Sequence, residues 1–339
     1  RFSEMAKIDI ANKFVSLLVS VYLAYKGHGV YALVYGVLAG MITQTAMFLY
    51  VGLKEYKPSF VFKMSEIKEF LSFGAYQMGE KSINYFTGQA DTIIIGKLLG
   101  MEALGLYNLI KQIIEKSIYV LNNIVNKVTF PVFSKVQNNN DELKNTYIKV
   151  LNILTFIQFP ILVTQYFYGY EILVMVLGDK WIGTEPLVKL FAIYSLFLVY
   201  GNPVGSLILA KGKANWSFYT NVIYAVLYTS SIYIFVKYYG LNGALYGYIF
   251  ISFISFYPYW KLLISKLIDV KFIEYYSNFI KQLAISSMSG YIGYVVSNQY
   301  FNNIIANIGI YMLIILPIFA VLNYIFNKEI LNILKKLRG

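Results

Sequence analysis

Ten apolar segments, each long enough to cross a bilayer, follow one another through 339 residues. They run over 8–26, 30–52, 70–96, 102–128, 144–168, 185–210, 214–237, 241–264, 276–297 and 304–326. A spanning helix needs roughly 20 apolar residues. Tight turns rich in Gly, Pro and Asn separate several of the segments, as in Gly27-His28-Gly29 and Gly240-Leu241-Asn242-Gly243. The chain is therefore predicted to be an all-α polytopic membrane protein. Its composition agrees: 58% hydrophobic and 14% charged, with a mean hydropathy of +0.57, which excludes an ordinary soluble domain.

The absence of cysteine excludes disulfides, thiolate catalysis and cysteine metal sites. The one histidine, His28, sits in a Gly-flanked turn and leaves little material for imidazole ligation or base catalysis. No cofactor, metal or catalytic group is expected, and the chain does not read as an enzyme.

Lysine placement sets the expected topology. Twenty of the 29 basic residues lie on the two termini and on alternate connections, among them Lys54, Lys57, Lys63 and Lys68, and Lys261, Lys266, Lys271 and Lys281. The opposite connections hold four: Lys26, Lys97, Lys180 and Lys237. By the positive-inside rule the crowded side is cytoplasmic, and with it both ends of the chain. The net charge of +12 thus reads as basic loops and not as a nucleic-acid surface. The basic amphipathic tail 328–339 is expected to lie on the anionic inner leaflet. Because the sequence opens on Arg1 with no signal peptide, an N-terminal truncation is expected.

Two segments carry polar rows that lipid would not tolerate. Glu80, Asn84, Thr87 and Asp91 fall at roughly 0°, 40°, −20° and 20° around a helix. Asn108, Lys111, Gln112, Glu115, Tyr119, Asn122 and Asn126 fall within about 60° either side of one line. An ionisable group at membrane depth costs roughly 3 kcal/mol or more unless it faces protein or water, so these rows mark a place where something polar goes. Lys13 and Lys189 lie inside other spans and are expected to snorkel. Gly201-Asn202-Pro203 is expected to kink its span.

The 26–36 turn can be laid over the 237–247 turn. Lys26, Gly29, Tyr35 and Gly36 then fall on Lys237, Gly240, Tyr246 and Gly247, each 211 residues apart. Six spans separate the two, as a parallel repeat of six helices would require.

The segment Gln89-Ala90-Asp91-Thr92-Ile93-Ile94-Ile95-Gly96-Lys97-Leu98-Leu99-Gly100, followed by Ala103-Leu104-Gly105-Leu106-Tyr107, resembles a signature of polysaccharide exporters. So do Phe130-Pro131-Val132-Phe133-Ser134-Lys135-Val136-Gln137 and Leu177-Gly178-Asp179-Lys180-Trp181 with Pro186-Leu187. The chain is similar to the colanic-acid and teichuronic-acid exporter branch of the O-antigen flippases, within the superfamily of multidrug, oligosaccharidyl-lipid and polysaccharide exporters. The resemblance implies a two-lobed transporter fold of fourteen helices around a central cavity, ten of them present here. Residues 1–53 would be the last two helices of the N-terminal lobe, 54–268 a six-helix C-terminal lobe, 269–327 an additional helix pair, and 328–339 a cytoplasmic tail.

The implied activity is translocation of undecaprenyl-diphosphate-linked oligosaccharide units across the bacterial inner (plasma) membrane by alternating access, for surface polysaccharide synthesis. The partners would be the lipid-linked oligosaccharide, membrane lipid, and a polymerase and glycosyltransferases of the same pathway. For such a cargo Lys111 would meet diphosphate. Asn84, Gln112, Asn122, Asn126 and Tyr119 would serve sugar hydroxyls and rings. Glu80, Asp91 and Glu115 would either bind a coupling ion or proton, or neutralise Lys81, Lys111 and Lys116 as ion pairs. Two other functions compete. A cation-coupled small-molecule antiporter of the same superfamily would favour acids alone along the stripe. A membrane polysaccharide polymerase would want an acidic motif in a sizeable outer loop, and loop 169–185 holds Glu171, Asp179 and Glu185 without an Asp-x-Asp pair.

Overall fold

The computed structural model describes residues 2–55, 64–300, 303–327 and 330, and among these there is no β-strand. The helices are α1 (Phe2–Tyr25), α2 (Tyr31–Glu55), α3 (Met64–Leu99), α4 (Met101–Val136), α5 (Asn140–Leu177), α6 (Glu185–Gly201), α7 (Pro203–Ala210), α8 (Ala214–Tyr259), α9 (Ser265–Ile268), α10 (Phe272–Tyr300) and α11 (Ile304–Phe326). A π-helical turn at Trp260–Ile264 joins α8 to α9. Every predicted segment is helical. The expected tail from 328 to 339 falls outside the described residues, Ile330 apart.

Helix ends follow local chemistry. Asn139 caps α5 by accepting from the Glu142 amide at 3.2 Å, and Asn303 caps α11 by accepting from the Ile305 amide at 2.9 Å. The helices outrun their apolar segments because charged turns continue them: α3 and α4 each reach 36 residues. By length and apolar composition, six helical stretches among the described residues qualify as spans: α1, α2, α5, α6 with α7, α8 through α9, and α11. Helices α3, α4 and α10 have the length, and the polar residues along them dilute their hydropathy.

The chain divides into two compact units, Arg1–Lys68 and Glu69–Gly339. In the first, α1 and α2 form a hairpin drawn together by small residues. A Cβ on Gly36 would meet Ser20, and one on Gly40 would meet Asn12. The Asn12 amide donates to Gln44 at 2.9 Å, and Gln44 donates to Asp9 at 2.9 Å. Lys13 is exposed on α1.

In the second unit, α6 and α7 pack on α4, α5 and α8, and α10 lies along α5 and α11. One core gathers Phe133, Tyr147, Leu151, Phe159, Val199 and Tyr275. A second gathers Ile95, Tyr107, Ile110, Phe191, Val236 and Leu245. The Gly201-Asn202-Pro203 interruption is a simple joint between α6 and α7, with Asn202 still helical in φ and ψ. Lys189 pairs with Glu185 one turn away at 2.6 Å.

Predicted spans seven and eight are the two arms of α8, folded back at Gly240, where φ is +62° and ψ −142°. Only glycine adopts that backbone readily. Ser231 Oγ on one arm donates to the Gly247 carbonyl on the other at 3.0 Å. The α1–α2 turn has the same construction: Gly29 has φ +52°, and Gly36 lies against Ser20. Ser20 and Ser231 are also 211 residues apart, so the two hairpins match in packing as well as in turn sequence.

Candidate functional site

One turn of α3 and two turns of α4 meet about two turns away from the Gly100 turn that joins the helices. Asp91 is 1% exposed and collects donors from three residues. Lys111 Nζ donates to its Oδ2 at 2.6 Å, the Tyr107 hydroxyl donates to the same oxygen at 2.8 Å, and the Thr92 amide donates to Oδ1 at 2.7 Å. Spacing explains the meeting. Tyr107 and Lys111 are one helical turn apart on α4, and Asp91 stands two turns before the end of α3. These donors occupy both carboxylate oxygens, and the acid and the lysine form a close ion pair. Lys111 keeps 18% of its side chain exposed, so its charge is paired yet reachable.

Glu115, one turn further along α4, is 5% exposed. Its Oε1 has no hydrogen-bond partner among the described residues. Around this cluster stands a group of buried aromatics from α4, α6 and α8. Tyr107 lies 5.0 Å from Phe191, Tyr194 3.9 Å from Tyr248, and Tyr228 5.6 Å from Tyr248.

The other residues of the two rows go to different neighbours. Glu80 accepts from Asn84 at 3.4 Å and from Asn221 on α8 at 3.2 Å. It stands 11 residues from Asp91 on α3, about 16 Å along the axis. Asn122 accepts from Gln158 on α5 at 3.1 Å, and Ser117 accepts from Gln165, also on α5, at 3.3 Å. Gln112, Asn126 and Tyr119 are exposed. The two rows therefore join only around Asp91, Thr92, Asn108 and Lys111. A 36-residue helix is about 54 Å long, and one straight row along it faces successive neighbours.

Sequence reasoning missed Asn221, Gln158 and Gln165, and the tyrosines at 107, 194, 228 and 248. Gln158 and Gln165 are seven residues apart, a spacing that puts both on one helical face. Tyr107 sits one turn before Lys111 on the row already drawn. The other tyrosines carried no signal in a chain with 33 of them.

A family described as polysaccharide biosynthesis protein matches residues 1–186, more than half the chain. The chain belongs to this family. It is 30% identical over 299 residues to the teichuronic acid biosynthesis protein TuaB of Bacillus subtilis, covering 87% of this chain and 61% of TuaB. It is 30% identical over 220 residues to the lipopolysaccharide biosynthesis protein WzxC of Escherichia coli, covering 65% of this chain and 45% of WzxC. Against the amylovoran biosynthesis protein AmsL of Erwinia amylovora the identity is 26%, over 88% of this chain and 76% of AmsL. The chain thus spans under two thirds of the length of TuaB and WzxC. Its fold is that of the lipid II flippase MurJ, solved in an inward-closed conformation: the TM-score is 0.65 at 14% identity, over 94% of this chain and 67% of MurJ.

Proposed function

We propose that the protein translocates lipid-diphosphate-linked oligosaccharide units across the bacterial cell membrane by alternating access, supplying surface polysaccharide synthesis. The observation that carries this reading is the pairing of a polysaccharide-biosynthesis family with a flippase fold. Residue chemistry supports it. Lys111 is held by a single buried carboxylate and is still partly exposed. A diphosphate oxygen offers the same charge-assisted bond that Asp91 now supplies, and the exchange requires the buried Asp91 carboxylate to be held by the Tyr107 hydroxyl and the Thr92 amide in its place. The Gln112, Tyr119 and Asn126 side chains continue outward from that point on exposed faces of α4 and suit a hydroxyl-rich head.

In this reading Asp91 is the resting partner of Lys111, and Glu80 and Glu115 are the acids open to a coupling ion. Residues 1–53 complete a first lobe, 54–268 form the second, and 269–327 are a flanking pair. Both ends of the chain are cytoplasmic, and the polymerase and glycosyltransferases of the pathway act on either side of the transport step. The protein itself makes and breaks no bonds.

The test is made in cells whose surface polysaccharide depends on the full-length protein. Lys111→Ala at normal expression is expected to abolish surface polymer and to accumulate lipid-linked repeat units on the cytoplasmic side. Wild-type polymer with no accumulation would remove Lys111 from the cargo path.

A further inference from the structure

Helix α8 runs into α10 through a braced elbow. The Ser265 amide donates to the Trp260 carbonyl, five residues back, and closes a π-helical turn. Such a turn swings position 266 toward position 261, where an α-helix would hold the two roughly 140° apart. The elbow ends on Asp269, whose backbone is left-handed with φ +45°. Across the bend the Trp260 indole donates to the Val270 carbonyl at 2.9 Å. Trp260 also lies 5.4 Å from Phe272, and Tyr257 lies 5.7 Å from Trp260 and 5.8 Å from Phe272. This aromatic plate clamps the end of α8 to the start of α10. Leu263, Ile264, Leu267 and Ile268 anchor the elbow from below, in the core that holds Phe159 and Val199.

The open side of the elbow is basic. Lys261, Lys266 and Lys271 are all exposed. The plate draws two of them together. Lys261 Nζ stands 5.6 Å over the Tyr257 ring, and Lys271 immediately precedes Phe272, which packs on that same ring. Lys266 follows on the short helix α9. None of the three is in an ion pair among the described residues. Of the two acids at the elbow, Glu274 is taken by Lys144 at 3.3 Å, which leaves Asp269 against three lysines. The α7–α8 turn is a contrast: its Lys211 is spent inside the protein, on the Gln137 carbonyl at 2.8 Å and Asn140 at 2.7 Å.

Two large apolar side chains are exposed at the same elbow, Leu262 at 61% and Ile273 at 80%. Cations, interfacial aromatic rings and exposed aliphatic side chains in one place match the headgroup and upper chains of a charged lipid. Depth favours the same ligand over a dissolved anion. A helical side chain leans toward the N-terminus of its helix. Lys261 accordingly reaches back over Tyr257, one turn toward the apolar length of α8, and not out into water.

We infer that the α8–α10 elbow binds the headgroup of an anionic phospholipid, with Lys261 and Lys271 meeting its phosphate beside the aromatic plate and Lys266 adding a third positive charge. The site is separate from the cargo reading and stands without it.

The test titrates the purified protein in neutral detergent with phosphatidylglycerol or phosphatidylcholine and follows Tm. Phosphatidylglycerol is expected to raise Tm in a saturable way that phosphatidylcholine does not match, since a ligand of the folded state stabilises it by mass action. Lys271→Gln alone is expected to weaken phosphatidylglycerol binding about fivefold, and Lys261→Gln, Lys266→Gln and Lys271→Gln together about a hundredfold. These exposed substitutions should leave the Tm in detergent alone unchanged. Lys26→Gln, Lys180→Gln and Lys237→Gln remove the same charge at other connections and are expected to bind the lipid as wild type does. Equal Tm with the two lipids would overturn the site. Equal weakening in the two triple variants would reduce it to diffuse charge attraction and overturn it as well. Inorganic phosphate matching the effect of phosphatidylglycerol at the same concentration would overturn the lipid assignment.

Discussion

The polar system of α3 and α4 and that of α5, α10 and α11 are buried on different terms. Around Asp91 an acid meets a lysine and a tyrosine hydroxyl at 2.6 and 2.8 Å, bordered by exposed residues of α4. Between α5, α10 and α11 they are amides and hydroxyls, enclosed by glycine-mediated packing, with the Tyr168 hydroxyl and Ser297 2.5 Å apart and Gln282 donating to Asn323 at 2.9 Å. The difference teaches what each can do. A charge that is paired but reachable can change partners during a transport cycle. A closed set of neutral hydrogen bonds fixes helices to one another.

The largest expected effect breaks the charged side of this contrast. Asp91→Asn leaves the largely enclosed Lys111, 18% exposed, without its carboxylate and should cost about 3 kcal/mol of stability, along with transport. Adding Lys111→Met should restore most of the stability and none of the transport. Denaturation in detergent and a polymer-export assay read the two outcomes separately, and a double variant that transports would defeat the partner-exchange idea.

Smaller effects sharpen the neutral side. Gly290→Leu drives a side chain into Val163 and should destabilise by about 1–3 kcal/mol, seen as a lower unfolding midpoint. Asn323→Leu removes the bond to Gln282 and should cost roughly 0.6–2 kcal/mol. The smallest stability effect returns to α4: exposed Gln112→Ala should change stability by less than about 0.5 kcal/mol, yet lower transport. Loss of transport in that variant without loss of fold would mark Gln112 as a cargo contact.

The helices and the turn repeat were legible in the sequence because lipid imposes length and because Gly29, Gly36, Gly240 and Gly247 stand where the backbone needs them. The rows on α3 and α4 were legible too, since ionised groups stand out against apolar neighbours. Their partners were not. Which residue meets Asn122 or Glu80 depends on how long helices cross, and a helical wheel carries no information on that. Asn221 and Gln158 each look like isolated polar residues until α8 and α5 are placed against α3 and α4. The α5–α10–α11 set escaped notice for a different reason. Its Asn, Gln and Ser residues cost little individually, and pairs such as Gln282–Asn323 and Tyr168–Ser297 emerge only once α10 is placed against α11 and α5.

The most direct measurement reconstitutes the full-length protein in proteoliposomes with a lipid-diphosphate-linked oligosaccharide and follows its arrival on the far leaflet. Wild-type protein should move the glycolipid well above protein-free vesicles, while Lys111→Ala, folded to the same extent, should match the protein-free rate. Equal translocation by wild type and Lys111→Ala, or none by folded wild type, would contradict a passage organised around the Asp91–Lys111 pair.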